Sequence, residues 1–286
     1  MNTPKNFYDI EVLNKVFYND KSKLSTRIDI WNKYGMAKKS YRDFLLSILD
    51  KQSFDGYIDI GCGNAKYSSE ILKYVSGNAY FCDISKSLIE EAKLNTKNKS
   101  NCECIYINDD ISQINIPKHS CELISLMHVL HHIDNIDAIF DKVESLAKDN
   151  ARILITTYEH SLKDYLNVIH YEALEKFKFP QYMMDKEQYL KFNGDRAYQY
   201  LNNRFNKVEK HDYFNDALMN DPQIVLDYYT SAMMYRLSKG GYSTDISKDQ
   251  WQCLYDYVKA AVIKEIKENK QIVLEGHLVA FWVRLE

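Results

Sequence analysis

Short apolar segments recur along the middle of the chain: YIDI at 57–60, AYFCD at 79–83, ECIYI at 103–107, ELISLM at 122–127 and RILITT at 152–157. Between them the apolar residues fall at helical spacing. Tyr67, Ile71, Leu72 and Val75 share one face, as do Leu88, Ile89 and Ala92 in a stretch that opens on the cap candidate Ser85. Ile136, Ile139, Phe140, Val143 and Leu146 form a third stripe. Strands that are apolar on both faces and alternate with helices predict a parallel sheet covered on each side, an α/β fold.

Outside 57–157 the rhythm changes. Residues 1–50 read as helix, most clearly at 41–49, where Tyr41, Phe44, Leu45 and Ile48 align. After Thr157 about 110 residues look mainly helical. They hold a strand candidate at 206–214, a helix capped by Asp221 with Pro222 in its first turn, and another helix at 248–267. Two strand-like halves around Gly276 follow at 272–285. The expected division is an entry segment of 1–50, a core of 51–158, and a cap with the last strands at 159–286.

Charge narrows the partners. There are 37 basic against 40 acidic residues, a net charge of −3, and nucleic-acid binders carry a basic excess, so nucleic acid is disfavoured. Residues 1–45 do hold nine basic against five acidic side chains, which a solvated helix face explains. The six cysteines show no metal-ligand spacing, and no metal is expected. No run of about 18 apolar residues appears, and the first residues do not look like a secretory signal; the expectation is a cytoplasmic protein without a membrane span.

Only nine glycines occur in the chain, yet Gly61 and Gly63 follow the first strand directly. Such a turn lets a ligand approach the backbone closely. Asp83 ends the second strand, where an acid in a doubly wound sheet is placed to bind a ribose diol. A dinucleotide fingerprint needs a third glycine where this chain has Lys66, so a pyrophosphate cofactor is disfavoured. S-adenosylmethionine, which carries a ribose but no phosphate, fits the pattern.

The segments YIDIGCGNAKYSSEIL, FCDISKSLIEEAK, INDDISQINIP and ELISLMHVLHHIDN, followed by RILITT, together resemble the motifs of the class I S-adenosylmethionine-dependent methyltransferases, in their small-molecule branch. The resemblance implies a Rossmann-like, seven-stranded, mostly parallel sheet ending in an antiparallel pair, matched to 206–214 and 272–284, with an enlarged helical cap. It implies that Asp59, Gly61 and Gly63 shape the methionine end, that Asp83 binds the ribose, and that Ile84 packs on adenine. Asp110 is expected on the adenine amine beside Ile111, with Asp109 as the alternative register, and Met127 and His128 at the sulfonium. Ala65 stands where many members have a third glycine, and Glu122 replaces the usual aspartate opening strand four. The segment around Arg27, Trp31 and Tyr34 resembles one that folds over the cofactor in some members.

Methyl transfer needs alignment and dry surroundings, and a base only where the acceptor is protonated. His128, His131 and His132 are the base candidates; as plain turn residues they would instead bond backbone. A metal held by His128 and His132 lacks a third ligand. The tyrosines of the cap (among them Tyr165, Tyr171, Tyr182, Tyr189, Tyr198, Tyr200, Tyr228, Tyr229 and Tyr235) suit an aromatic or cationic pocket or ordinary packing. The expected activity is methyl transfer to an oxygen or nitrogen of a small molecule. Methylation of RNA or protein, and a non-catalytic S-adenosylmethionine-binding protein, are the alternatives.

Overall fold

The computed structural model describes residues 21–99, 102–159, 164–184, 191–234 and 246–285. Contacts divide the chain into two compact units, one of 38–159, 189–213 and 278–286, the other of 1–37, 160–188 and 214–277. This differs from the linear expectation of 1–50, 51–158 and 159–286. The stripes of 41–48 and 194–204 complete the cover of the sheet, and the closing strand lies within it, so all three belong with it.

The sheet unit contains α2 (Tyr41–Ile48), which follows α1 (Lys21–Tyr34) of the other unit, then β1 (Phe54–Ile60), β2 (Val75–Cys82), α3 (Lys86–Thr96), β3 (Glu103–Ile107), β4 (Cys121–Met127), α4 (Ile136–Leu146) and β5 (Ala147–Tyr158). After an excursion through α5 (Tyr165–Lys176) come α6 (Gly194–Arg204) and β6 (Lys207–Phe214). A second excursion holds β7 (Ala217–Met219), α7 (Pro222–Tyr229), α8 (Lys248–Asn269) and β8 (Ile272–Leu274), and β9 (His277–Arg284) returns to the sheet. The seven-stranded order is β3-β2-β1-β4-β5-β9-β6. Strands β1 to β5 pair in parallel, and β9 runs antiparallel to β5.

Alternation along each strand explains the two cores. Ile58, Ile60, Ile124, Leu126, Ile153 and Ile155 point to one face, under Phe140 and Val143 of α4 and Leu201 of α6. Tyr57, Phe81, Leu123 and Leu154 point to the other, under Leu45 of α2, Ile71 and Ile89. Each such buried side chain contributes roughly 1.5–3 kcal/mol relative to leaving it in water.

Three expectations are corrected. The stripe after Gly63 is not an α-helix but a seven-residue 3₁₀ turn, Ser68–Tyr74, which starts only after the glycine turn has finished. Ser85 sits at the N-cap of α3 without a side-chain cap bond, since its hydroxyl meets Ser87 Oγ at 3.1 Å. Only half of 272–284 joins the sheet: β8 pairs with β7 in a separate two-stranded sheet, and the sharp turn at Gly276, where a Cβ would lie 2.2 Å from Asn215 O, separates it from β9.

The helical unit packs α5, α7 and α8 through Leu166, Ile169, Leu226, Leu254 and Val258, with Ile30 of α1. Asp164, Asp221 and Ser247 cap these three helices, Ser247 in a reciprocal capping box with Gln250. No helix among the described residues is long and apolar enough to cross a membrane. Tyr165, Tyr171, Tyr228 and Tyr229 pack here, whereas Tyr198 and Tyr200 lie on α6 in the sheet unit. Tyr189 and Tyr235, and the side chain of Tyr182, lie outside the described residues, as do residues 1–20 of the entry segment.

Within this core His170 Nδ1 and Tyr229 Oη share a hydrogen bond of 2.9 Å, and both residues are buried. Burial pushes the His170 imidazole down to about 3, so the folded state holds it neutral while the unfolded chain takes up a proton below about 6.5. Stability is therefore full above pH 6.5 and falls by about 1.4 kcal/mol per pH unit as pH drops towards 3. Thermal unfolding at pH 7.5 and pH 5 is expected to show this loss in the wild type and a flatter profile in His170→Leu; equal slopes in the two proteins would refute it.

Candidate active site

The carboxyl ends of β1, β2, β4 and β5 lie along one edge of the sheet because those strands are parallel. At that edge β1 runs into a tight turn. The amides of Gly61 and Cys62 both donate to Cys82 O, at 2.8 and 3.0 Å, which ties the exit of β1 to that of β2. Gly61 has φ +67°, and a Cβ there would stand 2.4 Å from the Val129 side chain, so glycine is required where the turn meets the loop after β4. Gly63 also has positive φ, +54°, but its missing Cβ points into open space. Ala65, at the position of the family's third glycine, takes φ +54° as well and is fully buried. A methyl group is tolerated there, at the cost of a left-handed backbone.

Asp83, just beyond β2, clamps this turn. Its Oδ2 accepts from Gly63 N at 2.8 Å and its Oδ1 from Ser85 N at 2.8 Å. Burial raises its carboxyl above the usual range, and the two amides pull it back. Ile84 follows, half-buried. Asp110 Oδ1 accepts from the amide and hydroxyl of Ser112 at 2.8 and 2.6 Å, while Asp109 Oδ1 accepts from Asp110 N at 2.8 Å. Ile111 is buried in the sheet core. At the far end of β1, Glu122 Oε2 accepts from Asp55 N at 2.7 Å, so the longer acid still makes a backbone contact.

Asp59 lies wholly inside. Its Oδ1 accepts from Ser125 Oγ at 2.6 Å, and that hydroxyl also meets Tyr57 Oη at 2.8 Å. Burial pushes its carboxyl up to about 7 against the opposing influence of the Ser125 and Ser68 hydroxyls.

Next to the turn, β4 ends at Met127, and His128 adopts φ +54°, uncommon for a residue with a Cβ. Its amide donates to Thr156 O at 3.0 Å. Its Nε2 shares a 2.8 Å hydrogen bond with Tyr41 Oη, and its ring lies 4.6 Å from that of Tyr158. Tyr41 in turn meets Tyr67 edge-on at 5.0 Å and Tyr213 at 5.4 Å. Burial lifts the Tyr41 phenol well above 10 and that of Tyr67 up to about 12. His131 approaches Tyr158 at 5.9 Å, and the His132 ring lies tilted against that of His131 at 4.0 Å.

The structure thus brings His128 into an aromatic cluster and sets His132 one ring further back. Tyr41 and its neighbours were missed by the sequence, where Tyr41 counts as one member of a packing stripe; only the fold shows that the first residue of α2, set by the Ser40 cap, reaches across to the loop after β4. Arg27, Trp31 and Tyr34 lie on α1 in the helical unit. There Arg27 donates to the Ser231 carbonyl, Trp31 stands edge-on to Tyr228 at 5.7 Å, and Lys33 Nζ lies 5.1 Å over the Tyr34 ring.

Residues 58–155 match a family model described as a methyltransferase domain. No curated protein matches the sequence. Among solved structures, a candidate methyltransferase of Bacillus halodurans C-125 aligns with a TM-score of 0.55 at 11% identity, over 86% of this chain and 99% of that one. The YcgJ protein of Bacillus subtilis aligns at 0.51 and 12%, over 86% and 97%. Phosphoethanolamine N-methyltransferase 2 of Haemonchus contortus, solved with phosphomonomethylethanolamine and S-adenosylhomocysteine, aligns at 0.52 and 15%, over 98% of this chain but 61% of that longer one. At such identities the likeness is one of fold: residues 58–155 match a methyltransferase domain, and the seven-stranded sheet around them has the Rossmann-like architecture of solved methyltransferase structures.

Proposed function

We propose that this chain transfers a methyl group from S-adenosylmethionine to a nitrogen of a small-molecule amine. The observation that carries the reading is the Tyr41–His128 pair, hydrogen-bonded at 2.8 Å among aromatic rings at the carboxyl edge of the sheet. The residues present suit the cofactor. Gly63 leaves open the space that a Cβ would fill, and each Asp83 oxygen, engaged by one amide, keeps a lone pair for a ribose hydroxyl. Asp110 and Ile84 are the proposed adenine contacts, and Met127 and His128 the lining of the sulfonium end. The bound cofactor supplies an electrophilic methyl on a cationic sulfur.

The acceptor must arrive as a neutral nucleophile. Rings of Tyr41, Tyr67 and Tyr158 offer faces that favour an amine or its ammonium form. Burial disfavours ionisation of Tyr41 alone, so its hydroxyl moves a proton only in concert: it takes one from the acceptor ammonium while handing its own to His128 Nε2. The Haemonchus neighbour, named for N-methylation of a small phosphorylated amine, agrees with an amine acceptor, and the net charge of −3 gives no support to nucleic acid.

The test is a panel of small amines, phenols and alcohols incubated with S-adenosylmethionine, with S-adenosylhomocysteine formation measured. Turnover confined to amines is expected. Turnover confined to hydroxyl acceptors would overturn the choice of nitrogen, and salt-sensitive turnover on RNA alone would overturn the small-molecule reading.

A further inference from the structure

The loop that presents His128 is seated in the glycine turn itself. A Cβ on Gly61 would lie 2.4 Å from Val129 Cγ2, 2.9 Å from its Cβ and 3.5 Å from its Cγ1, so Val129 fills the place that a side chain on Gly61 would take. Val129 directly follows His128, whose φ of +54° lies in the left-handed region. A residue with a Cβ persists there only where its surroundings hold it. Resting on the proton path described above, we propose that Val129 is a positioning residue: wedged against Gly61, it holds the left-handed backbone that aims His128 Nε2 at Tyr41.

The backbone on either side of Val129 is tied down. Before it, the His128 amide donates to Thr156 O at 3.0 Å, which anchors the loop to β5. After it, Val129 O accepts from His132 N at 2.9 Å and opens a 3₁₀ turn, Leu130–His132. Between these anchors the chain reverses from φ +54° at His128 to φ −114° at Val129. The Tyr41 hydrogen bond and the Tyr158 ring contact engage only the imidazole. The reversal itself is left to the main-chain anchors and to the Val129 side chain.

A β-branched side chain suits the notch, since its χ1 is restricted and its two γ carbons leave little slack. Gly61 is itself held, because its amide donates to Cys82 O at 2.8 Å and Cys62 N shares that acceptor. Val129 therefore rests on a turn that is tied to the end of β2. The floor of the glycine turn is also the support of the group that serves the acceptor. Without the wedge, His128 relaxes towards an ordinary backbone and its ring loses its aim at Tyr41.

Single-turnover rates with a saturating amine, read beside the Kd for S-adenosylmethionine and the melting temperature, test the wedge. Val129→Ala removes both γ carbons and should slow methyl transfer about tenfold, with the Kd within about threefold of wild type. Val129→Thr keeps the branched shape but buries a hydroxyl, so its melting temperature should fall while its rate stays within about twofold of wild type. Because Val129 acts through His128, adding Val129→Ala to His128→Asn should slow that variant no further. If Val129→Ala does not fold, the apolar but unbranched Val129→Met replaces it with the same expectations. A wild-type rate in the unbranched variant, an equal loss of rate in Val129→Thr, or a further loss on top of His128→Asn would each overturn the wedge. A wild-type rate in His128→Asn alone would overturn the proton path instead, whatever Val129→Ala does.

Discussion

Asp83→Ala is expected to weaken S-adenosylmethionine binding about a hundredfold. The estimate follows from two hydrogen bonds to a buried carboxylate, each contributing about 1.5 kcal/mol, which together correspond to roughly two decades in affinity. The same carboxylate also accepts from Gly63 N and Ser85 N, so the substitution leaves two amides of the turn without their acceptor. A fall in melting temperature of a few degrees should accompany the loss of affinity, since each such bond contributes on the order of 1 kcal/mol. Asp83→Asn separates the two effects: its amide oxygen can still serve one backbone N–H, so it should recover more stability than affinity. Calorimetry together with thermal unfolding checks both. Wild-type affinity in Asp83→Ala would mean that Asp83 only holds the turn.

How far the fold was legible follows from which residues the sheet uses. The apolar segments that announce β1 to β5 alternate between two covers, and a strand buried on both faces leaves an unbroken apolar run in the sequence. That signal survives without knowledge of any partner. The closing segment was harder, because 272–274 and 277–284 have the same apolar character; what separates them is the turn at Gly276, too crowded for a side chain, and the pairing of the first half with β7. Residues 64–75 misled in another way. Their stripe is real, and Ile71 and Leu72 are buried, but the left-handed residues up to Ala65 use the length that a regular helix start would need.

The site divides along the same line. Gly61 and Gly63 were legible as a turn, because both take a positive φ directly after β1, whereas the clamp that Asp83 makes on the amides of Gly63 and Ser85 left no mark in the sequence. The cluster around His128 was only half legible. Nothing in the spacing of the three histidines after β4 distinguishes His128, which turns left-handed into the tyrosines, from His132, whose ring lies tilted against that of His131. Tyr41 carried no signal, since the α2 stripe that presents it to His128 also explains it as packing. A contact spanning 87 positions cannot be read from local pattern.

Turnover, by contrast with cofactor affinity, is expected to depend on Tyr41 and His128 as one unit. Tyr41→Phe keeps the ring contacts to Tyr67 and Tyr213 and removes only the hydroxyl, so kcat should fall about a hundredfold while the Kd for S-adenosylmethionine stays within about threefold. At position 128 the informative replacement is asparagine, which tolerates the left-handed backbone better than alanine. His128→Asn should lose turnover to a similar extent. If the proton passes through both groups, removing either breaks the path, and the double variant should be little worse than the poorer single one. Independent roles would instead multiply the two losses. His132→Ala should remain close to wild type, since His131 stands between it and Tyr158. Single-turnover rates with a saturating amine separate chemistry from product release. Unchanged rates in both Tyr41→Phe and His128→Asn would reduce the pair to a strut between α2 and the loop after β4, and the proton would then have to leave the acceptor before it binds.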